Sequence, residues 1–228
     1  MISSRFIESE LFLQNDSQLH LKTLPDKPKY EIVFVGPENV GKTCLTSVIA
    51  NGKFINEYTQ SAVTSEYNVK KTLQNQEKNF TLVDTFGEAK LRSMLKIFLR
   101  KADIVCLVYD ITNKKSFEEI DENLYGLCKE CLGDKAIYVV IGNKEDLKEK
   151  EQVTEEEGRL YAEKIGALFL STSCLNKTGI DQLFNFFEIE QDSNESSSIK
   201  LNLSNEKNKN CCSGSKQRNK RDKIRNSI

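Results

Sequence analysis

Ile32-Val33-Phe34-Val35-Gly36-Pro37-Glu38-Asn39-Val40-Gly41-Lys42-Thr43 runs from a β-branched apolar stretch through a glycine-bounded loop into helical spacing over Lys42 to Asn51. Its last eight residues fit G-x-x-x-x-G-K-[ST], in the strand-to-helix setting that the pattern requires. Such a loop aims successive backbone N–H groups and a helix N-terminus at phosphate oxygens. Gly36 and Gly41 permit the tight path, and the Lys42 ammonium supplies a point charge. Thr43 offers a hydroxyl to Mg²⁺, which binds through few protein groups and keeps several waters. A chance match in a chain of this length is on the order of one percent.

Outward from this loop the same alternation repeats. Phe80 to Val83, Ile104 to Tyr109, Ile137 to Ile141 and Ala167 to Leu170 are short, mostly unbroken apolar runs. Strands of that kind are buried on both faces, as in a parallel sheet between helices, so the fold class is α/β. Lys90 to Lys101, Ser116 to Cys131, Thr154 to Ile165 and Gly179 to Ile189 have helix-like spacing. Leu91, Met94, Leu95 and Phe98 would line one helical face, and Thr154-Glu155-Glu156-Glu157 is a capping box that opens another helix. Glu66 to Leu73 and Phe80 to Val83, joined by Gln74 to Asn79, read as an antiparallel hairpin at the sheet edge.

Three segments follow. Residues 1–28 form an N-terminal arm, expected to be flexible, that closes on the breaker Pro25-Asp26-Lys27-Pro28. Residues 29–190 form the folded domain. Residues 191–228 turn to Ser, Asn, Lys and Gln, too polar to offset their ordering entropy, and are expected to be disordered. That tail holds nine Lys or Arg against four Asp or Glu, a net of +5, which leaves −6 for the rest of a chain whose total is −1.

Composition excludes several classes. The longest apolar runs, Ile104 to Tyr109 and Ala136 to Ile141, fall far short of the roughly 20 residues of a membrane-spanning helix. Leu11 to Leu13 is too short for a signal-peptide core, which points to the cytosol. With 7 cysteines, an odd number, buried thiols fit better than a disulfide framework. Cys128 and Cys131 lack the second pair or histidine cluster of a zinc site. His20, the only histidine, leaves no candidate for a Ser-His-Asp or Cys-His nucleophilic site.

Two further motifs sit at strand ends. Asp84-Thr85-Phe86-Gly87 ends the hairpin's second strand, where an aspartate can hold a Mg²⁺-bound water and a glycine N–H can approach a terminal phosphate. Asn143-Lys144-Glu145-Asp146 follows Ile137 to Ile141 at the edge where α/β ligands bind. An aspartate there can accept from both N1–H and N2–H₂ of guanine, a donor pair that adenine lacks. The two motifs and the phosphate loop, in this order and spacing, point to GTP or GDP.

Over about residues 29 to 189 the chain resembles the Ras-like small GTPases, and within them the Rab subfamily. Leu99-Arg100-Lys101-Ala102-Asp103, Val108-Tyr109-Asp110-Ile111-Thr112, Ser116-Phe117, Gly142 to Leu147, Glu156-Glu157-Gly158, Tyr161-Ala162 and Phe169 to Ser173 carry the likeness. The resemblance implies a small G-protein fold, a six-stranded, mostly parallel sheet of the P-loop NTPase type with about five flanking helices. It implies nucleotide contacts from Gly36, Glu38, Asn39, Val40, Gly41, Lys42, Thr43, Cys44, Phe54, Asp84, Gly87, Asn143, Lys144, Asp146, Ser173, Cys174 and Leu175. Phe54 would pack edge-on to the base, and the loop from Thr172 to Leu175 would meet the guanine carbonyl. Thr43, Ser61 and Asp84 would hold Mg²⁺, with Lys42, Glu88 and Ser61 in the catalytic roles.

Departures bear on mechanism. Hydrolysis in this family depends on positioning and electrostatics, with a glutamine orienting the attacking water. Glu88 takes that position, lacks the amide donor and adds negative charge, and Glu38 adds a second carboxylate. Slow hydrolysis is expected. The switch residue that reaches Mg²⁺ is Ser61 counted forward from Thr43 and Ala62 counted back from Tyr67; Ser61 keeps a hydroxyl and is the choice, with Thr64 as a third candidate and a site lacking the contact also open. Val83 replaces the family's aromatic before Asp84. Cys211 and Cys212, unlike a terminal Rab cysteine pair, are followed by Ser213 to Ile228, so no terminal lipidation motif is read.

The expected function is a Rab-like guanine-nucleotide switch in vesicle trafficking; the alternative is a GTP-binding interaction module with little hydrolysis. Effectors, exchange factors and activating proteins would meet residues 56–67 and 84–99. The tail 213–228 would add weak contact with anionic endomembranes from the cytoplasm. Nucleic acid is not an expected partner, and the protein is expected to be a monomer.

Overall fold

In the computed structural model, residues 22–54 and 64–189 are described. A three-residue strand, β1 (Lys22–Leu24), precedes β2 (Lys29–Val35), which runs through the phosphate loop into helix α1 (Lys42–Asn51). β3 (Ser65–Leu73) and β4 (Gln76–Asp84) form the hairpin, and a 3₁₀ turn at Ala89–Leu91 leads into α2 (Arg92–Leu99). β5 (Ile104–Asp110) is followed by α3 (Lys114–Glu119), which a π turn at Ile120–Leu124 joins to α4 (Tyr125–Leu132). β6 (Ile137–Asn143), a 3₁₀ stretch at Glu145–Lys150, α5 (Glu155–Lys164), β7 (Leu168–Thr172), α6 (Gln182–Asn185) and β8 (Phe187–Ile189) complete the order.

Six strands form one sheet in the order β3-β4-β2-β5-β6-β7, with only the β3–β4 pair antiparallel. With α3, the π turn and α4 taken as one body, five helical bodies among the described residues flank it. The expected α/β architecture is the one observed. Alternate side chains of each strand enter opposite faces, as the period of two requires. Ile32, Phe34, Cys106 and Val108 pack with Leu45 and Val48 of α1 and Leu183 and Phe184 of α6. Val33, Val35, Val105 and Leu107 pack with Leu95 and Leu99 of α2, Ile120, Cys128 and Tyr161. Registers Phe34↔Asp84, Asp110↔Asn143 and Asn143↔Thr172 bring the C-terminal ends of the strands to one edge.

Four details differ from the sequence reading. The hairpin turn is only Gln74-Asn75, both in the left-handed region at φ 48 and 65, a conformation that suits a two-residue turn. β4 therefore starts at Gln76; its polar first residues hid it. Met94 is exposed, because α2 buries Leu95 and Leu99 at i, i+4. The expected helix from Gly179 to Ile189 shortens to α6, and β8 then pairs in parallel with β1, Lys22↔Phe187 through Leu24↔Ile189. The end of the expected arm over 1–28 is accordingly part of the fold. Leu24 and Phe187 are buried in the core, Tyr30 donates its hydroxyl to the Pro25 carbonyl at 2.9 Å, and Lys27 pairs with Asp103. Residues 1–21, 55–63 and 190–228, including the tail, lie outside the described residues. No helix among those described is long and apolar enough to cross a membrane.

Candidate functional site

The loop between β2 and α1 is shaped by close approach. A Cβ on Gly36 would lie 2.2 Å from the Val108 carbonyl oxygen, and one on Gly41, at φ +97, would lie 2.3 Å from Asn143 Nδ2. Lys42 is buried and donates to the carbonyls of Gly36 at 2.8 Å and Pro37 at 2.6 Å. Burial lowers its ammonium to about 8, against the opposing pull of Asp84 and Glu38. Thr43 Oγ1 donates to Asp84 Oδ2 at 2.6 Å. The Asp84 carboxyl is raised by burial, with the Thr43 hydrogen bond and Lys42 opposing.

Asp84 Oδ1 is buried and finds no partner among the described residues; neither does Thr64 Oγ1. Thr64 immediately precedes Ser65, which stands opposite Asp84 in the hairpin. The unpartnered Asp84 oxygen, in a carboxylate that already accepts from the Thr43 hydroxyl, suits a hard cation with oxygen ligands. Of the three candidates for the switch residue, Ser61 and Ala62 lie outside the described residues. Gly87 is backed onto the loop, where a Cβ would lie 2.5 Å from Glu38 Cα and N. Glu88 follows, in ion pair with Lys90.

At the other end, β6 delivers Asn143, which is buried. Its Nδ2 donates to the Val40 carbonyl at 2.8 Å, and its Oδ1 accepts from Thr172 Oγ1 at 3.1 Å and Cys174 Sγ at 3.6 Å. One amide thus ties the phosphate loop to the base loop. Lys144, at φ 69, turns the chain in the left-handed region and pairs with Asp110 at 2.7 Å. Asp146 accepts from Ser173 Oγ, which also accepts from Asn176 N at 3.1 Å. Cys174 is buried, Cys44 packs against the same core, and Phe54 and Leu175 are exposed apolar side chains. Asp110 was absent from the expected site. It holds Lys144 while accepting from Thr112 N at 2.9 Å and Thr112 Oγ1 at 2.7 Å. Its signal was its place at the C-terminal end of a buried strand.

A glycine-shaped loop at a helix start, a Thr–Asp pair and an Asn-Lys-x-Asp loop share one edge of the sheet. That arrangement defines a P-loop nucleotide-binding domain. Residues 31–191 match the Ras family, and the chain belongs to it, with the small G-protein fold and a nucleotide-binding switch domain of the small-GTPase type.

Proposed function

We propose that the protein is a Rab-like guanine-nucleotide switch that binds GTP and GDP with Mg²⁺, hydrolyses GTP slowly and serves membrane trafficking. The observation that carries the guanine assignment is the pairing of Asp146 with Ser173, which fixes a carboxylate at the end of β6 beside Lys144. Asn143 holds that loop in register with the phosphate loop. Thr43 and Asp84 are the oxygen donors that suit Mg²⁺, with Ser61 and Thr64 in the proposed set. Bound Mg²⁺ supplies charge neutralisation at the phosphates. Lys42 would exchange its bonds to the Gly36 and Pro37 carbonyls for phosphate oxygens.

Glu38 and Glu88 favour the second reading, an interaction module with little useful hydrolysis, because Glu38 adds negative charge within the phosphate loop and Glu88 beside the glycine that backs onto it. Partner contact is proposed through residues 56–67 and 84–99, and anionic membrane contact through 213–228, from the cytoplasmic side. Fluorescent-nucleotide displacement tests the core reading. GTP and GDP should displace the probe, ATP should not, and Asp146→Asn should cost about 1–3 kcal/mol for each contact left unpaired. Equal ATP and GTP affinity would overturn the guanine assignment. Single-turnover hydrolysis is expected at or below the order of 10⁻⁴ per second of an unassisted Ras-like protein.

A further inference from the structure

Glu38 lies inside the phosphate loop, and Glu88 directly follows the glycine that backs onto it. The 2.5 Å from a Cβ on Gly87 to the Glu38 backbone places the two acidic residues on adjoining stretches of chain. Like charges on adjoining loops oppose each other and any further anion. The same turn supplies a cation. Glu88 is extended at φ −69 and ψ 128, and its carbonyl accepts from Leu91 N at 3.0 Å to open the 3₁₀ turn Ala89–Leu91. Lys90 in that turn reaches back to Glu88 Oε2. Its ammonium is held above its ordinary range by the hydrogen bond and charge of Glu88, with a smaller pull from Glu38 in the same direction. Glu38 also acts on Lys42.

The Lys90 side chain is 77% exposed, against 21% for Glu88. An exposed pair of this kind adds little to stability, so fold stability does not explain it. We propose that Lys90 is a positioning residue for the triphosphate: it holds the Glu88 carboxylate and offsets the joint charge of Glu88 and Glu38, so that the loop accepts a γ-phosphate. This rests on the guanine-nucleotide reading above. In that reading, nucleotides with and without the terminal phosphate differ at the end of the site where Lys90 acts, so the ratio of their affinities reports on it.

The experiment uses the full chain with Mg²⁺ and measures displacement of a fluorescent guanine nucleotide by GDP and by a non-hydrolysable GTP analogue. Lys90→Ala should lower the affinity for the analogue relative to GDP by about fivefold at low ionic strength, the scale of one partly screened charge. The effect should shrink at high salt. Lys90→Arg should keep the ratio, and Glu38→Gln in the Lys90→Ala background should recover most of it. An unchanged ratio in Lys90→Ala, or an equal loss for both nucleotides, would overturn the proposal while leaving the guanine reading intact. Failure of the unsubstituted chain to prefer guanine over adenine nucleotides would overturn that reading, and this proposal with it.

Discussion

Asn143→Ala should destabilise the protein by about 2–4 kcal/mol, because one buried amide serves three partners on two loops. The residue is 2% exposed, so water cannot readily replace what the substitution removes. Val40 O, itself in a buried residue, loses the donor at 2.8 Å, and Thr172 Oγ1 loses the acceptor at 3.1 Å. The Cys174 thiol at 3.6 Å is a weak donor and adds little. Each buried polar group left unpaired costs about 1–3 kcal/mol, and partial rearrangement of the Thr172 hydroxyl keeps the total below the sum of two upper values. A loss of that size lowers the melting temperature by about 5–15 °C in a domain of this size. The assay is urea unfolding of wild type, Asn143→Ala and Asn143→Asp, with and without GDP. The aspartate variant retains shape and acceptors but turns an oxygen toward Val40 O, so it should be no more stable than the alanine variant. A shift under about 0.5 kcal/mol in Asn143→Ala, with an unchanged denaturant slope, would show that the loops do not depend on this amide.

Three other substitutions probe the fold and the loop. Leu24→Ala should cost about 2–5 kcal/mol by cavity formation, since Leu24 is 2% exposed; a shift under about 0.5 kcal/mol in urea unfolding would mean that β1 contributes no core. Gly87→Ala should cost about 1–3 kcal/mol in unfolding or nucleotide displacement, because the added methyl meets the Glu38 backbone rather than a movable side chain; no change in either measurement would show that the loop yields. Glu157 is held below its ordinary 4.5, chiefly by the backbone N–H of Thr154. The folded carboxylate thus binds fewer protons than the unfolded one, and its stabilisation is present above 4.5 and lost as pH falls through the lowered value. The difference in melting temperature between wild type and Glu157→Gln should therefore shrink on acidification, and a difference independent of pH would refute the charge contribution to the capping box.

The parts of this fold that were legible in the sequence are those in which one residue type answers one local demand. Gly41 at φ +97 against Asn143, the reciprocal cap of Thr154 and Glu157, and the unbroken apolar run of β5 each follow from sterics, orphan N–H groups or two-sided burial. Where pairing is set by tertiary contact the sequence was silent. Lys22-Thr23-Leu24 is too short to show a period, and only the parallel partner Phe187–Ile189 makes it a strand. That pairing also explains why helical spacing from Gly179 misled: Phe187 is buried beside Leu24 in the core instead of on a further helical turn. At the site, motif spacing located Lys42, Asp84, Asn143 and Asp146. Lys90 escaped it, because an ion pair two residues apart is a fact of conformation; Thr64 was one of the candidates for the switch residue, and its unpartnered hydroxyl is what the structure adds.

The described site is close to electrostatically closed on itself. Lys42 spends its donors on two loop carbonyls, Thr43 on Asp84, Lys144 on Asp110, and Ser173 on Asp146. A ligand must therefore exchange bonds rather than simply add them, which reduces the net gain from each contact. The exceptions mark where the balance favours an added group. Lys42 is lowered by burial, so an anion beside it would stabilise the ammonium that desolvation disfavours. Asp84 is raised by burial and holds one unpartnered oxygen, so a cation beside it would likewise stabilise the carboxylate that desolvation disfavours. The two penalties have opposite signs on neighbouring elements, α1 and the end of β4, and an anion and a cation arriving together would relieve both. An anion alone would also meet the Asp84 carboxylate, and a cation alone the Lys42 ammonium, so each is held more strongly when the other is present. On the proposed guanine-nucleotide reading, phosphate and Mg²⁺ should bind cooperatively, through charges that Lys42 and Asp84 already bury.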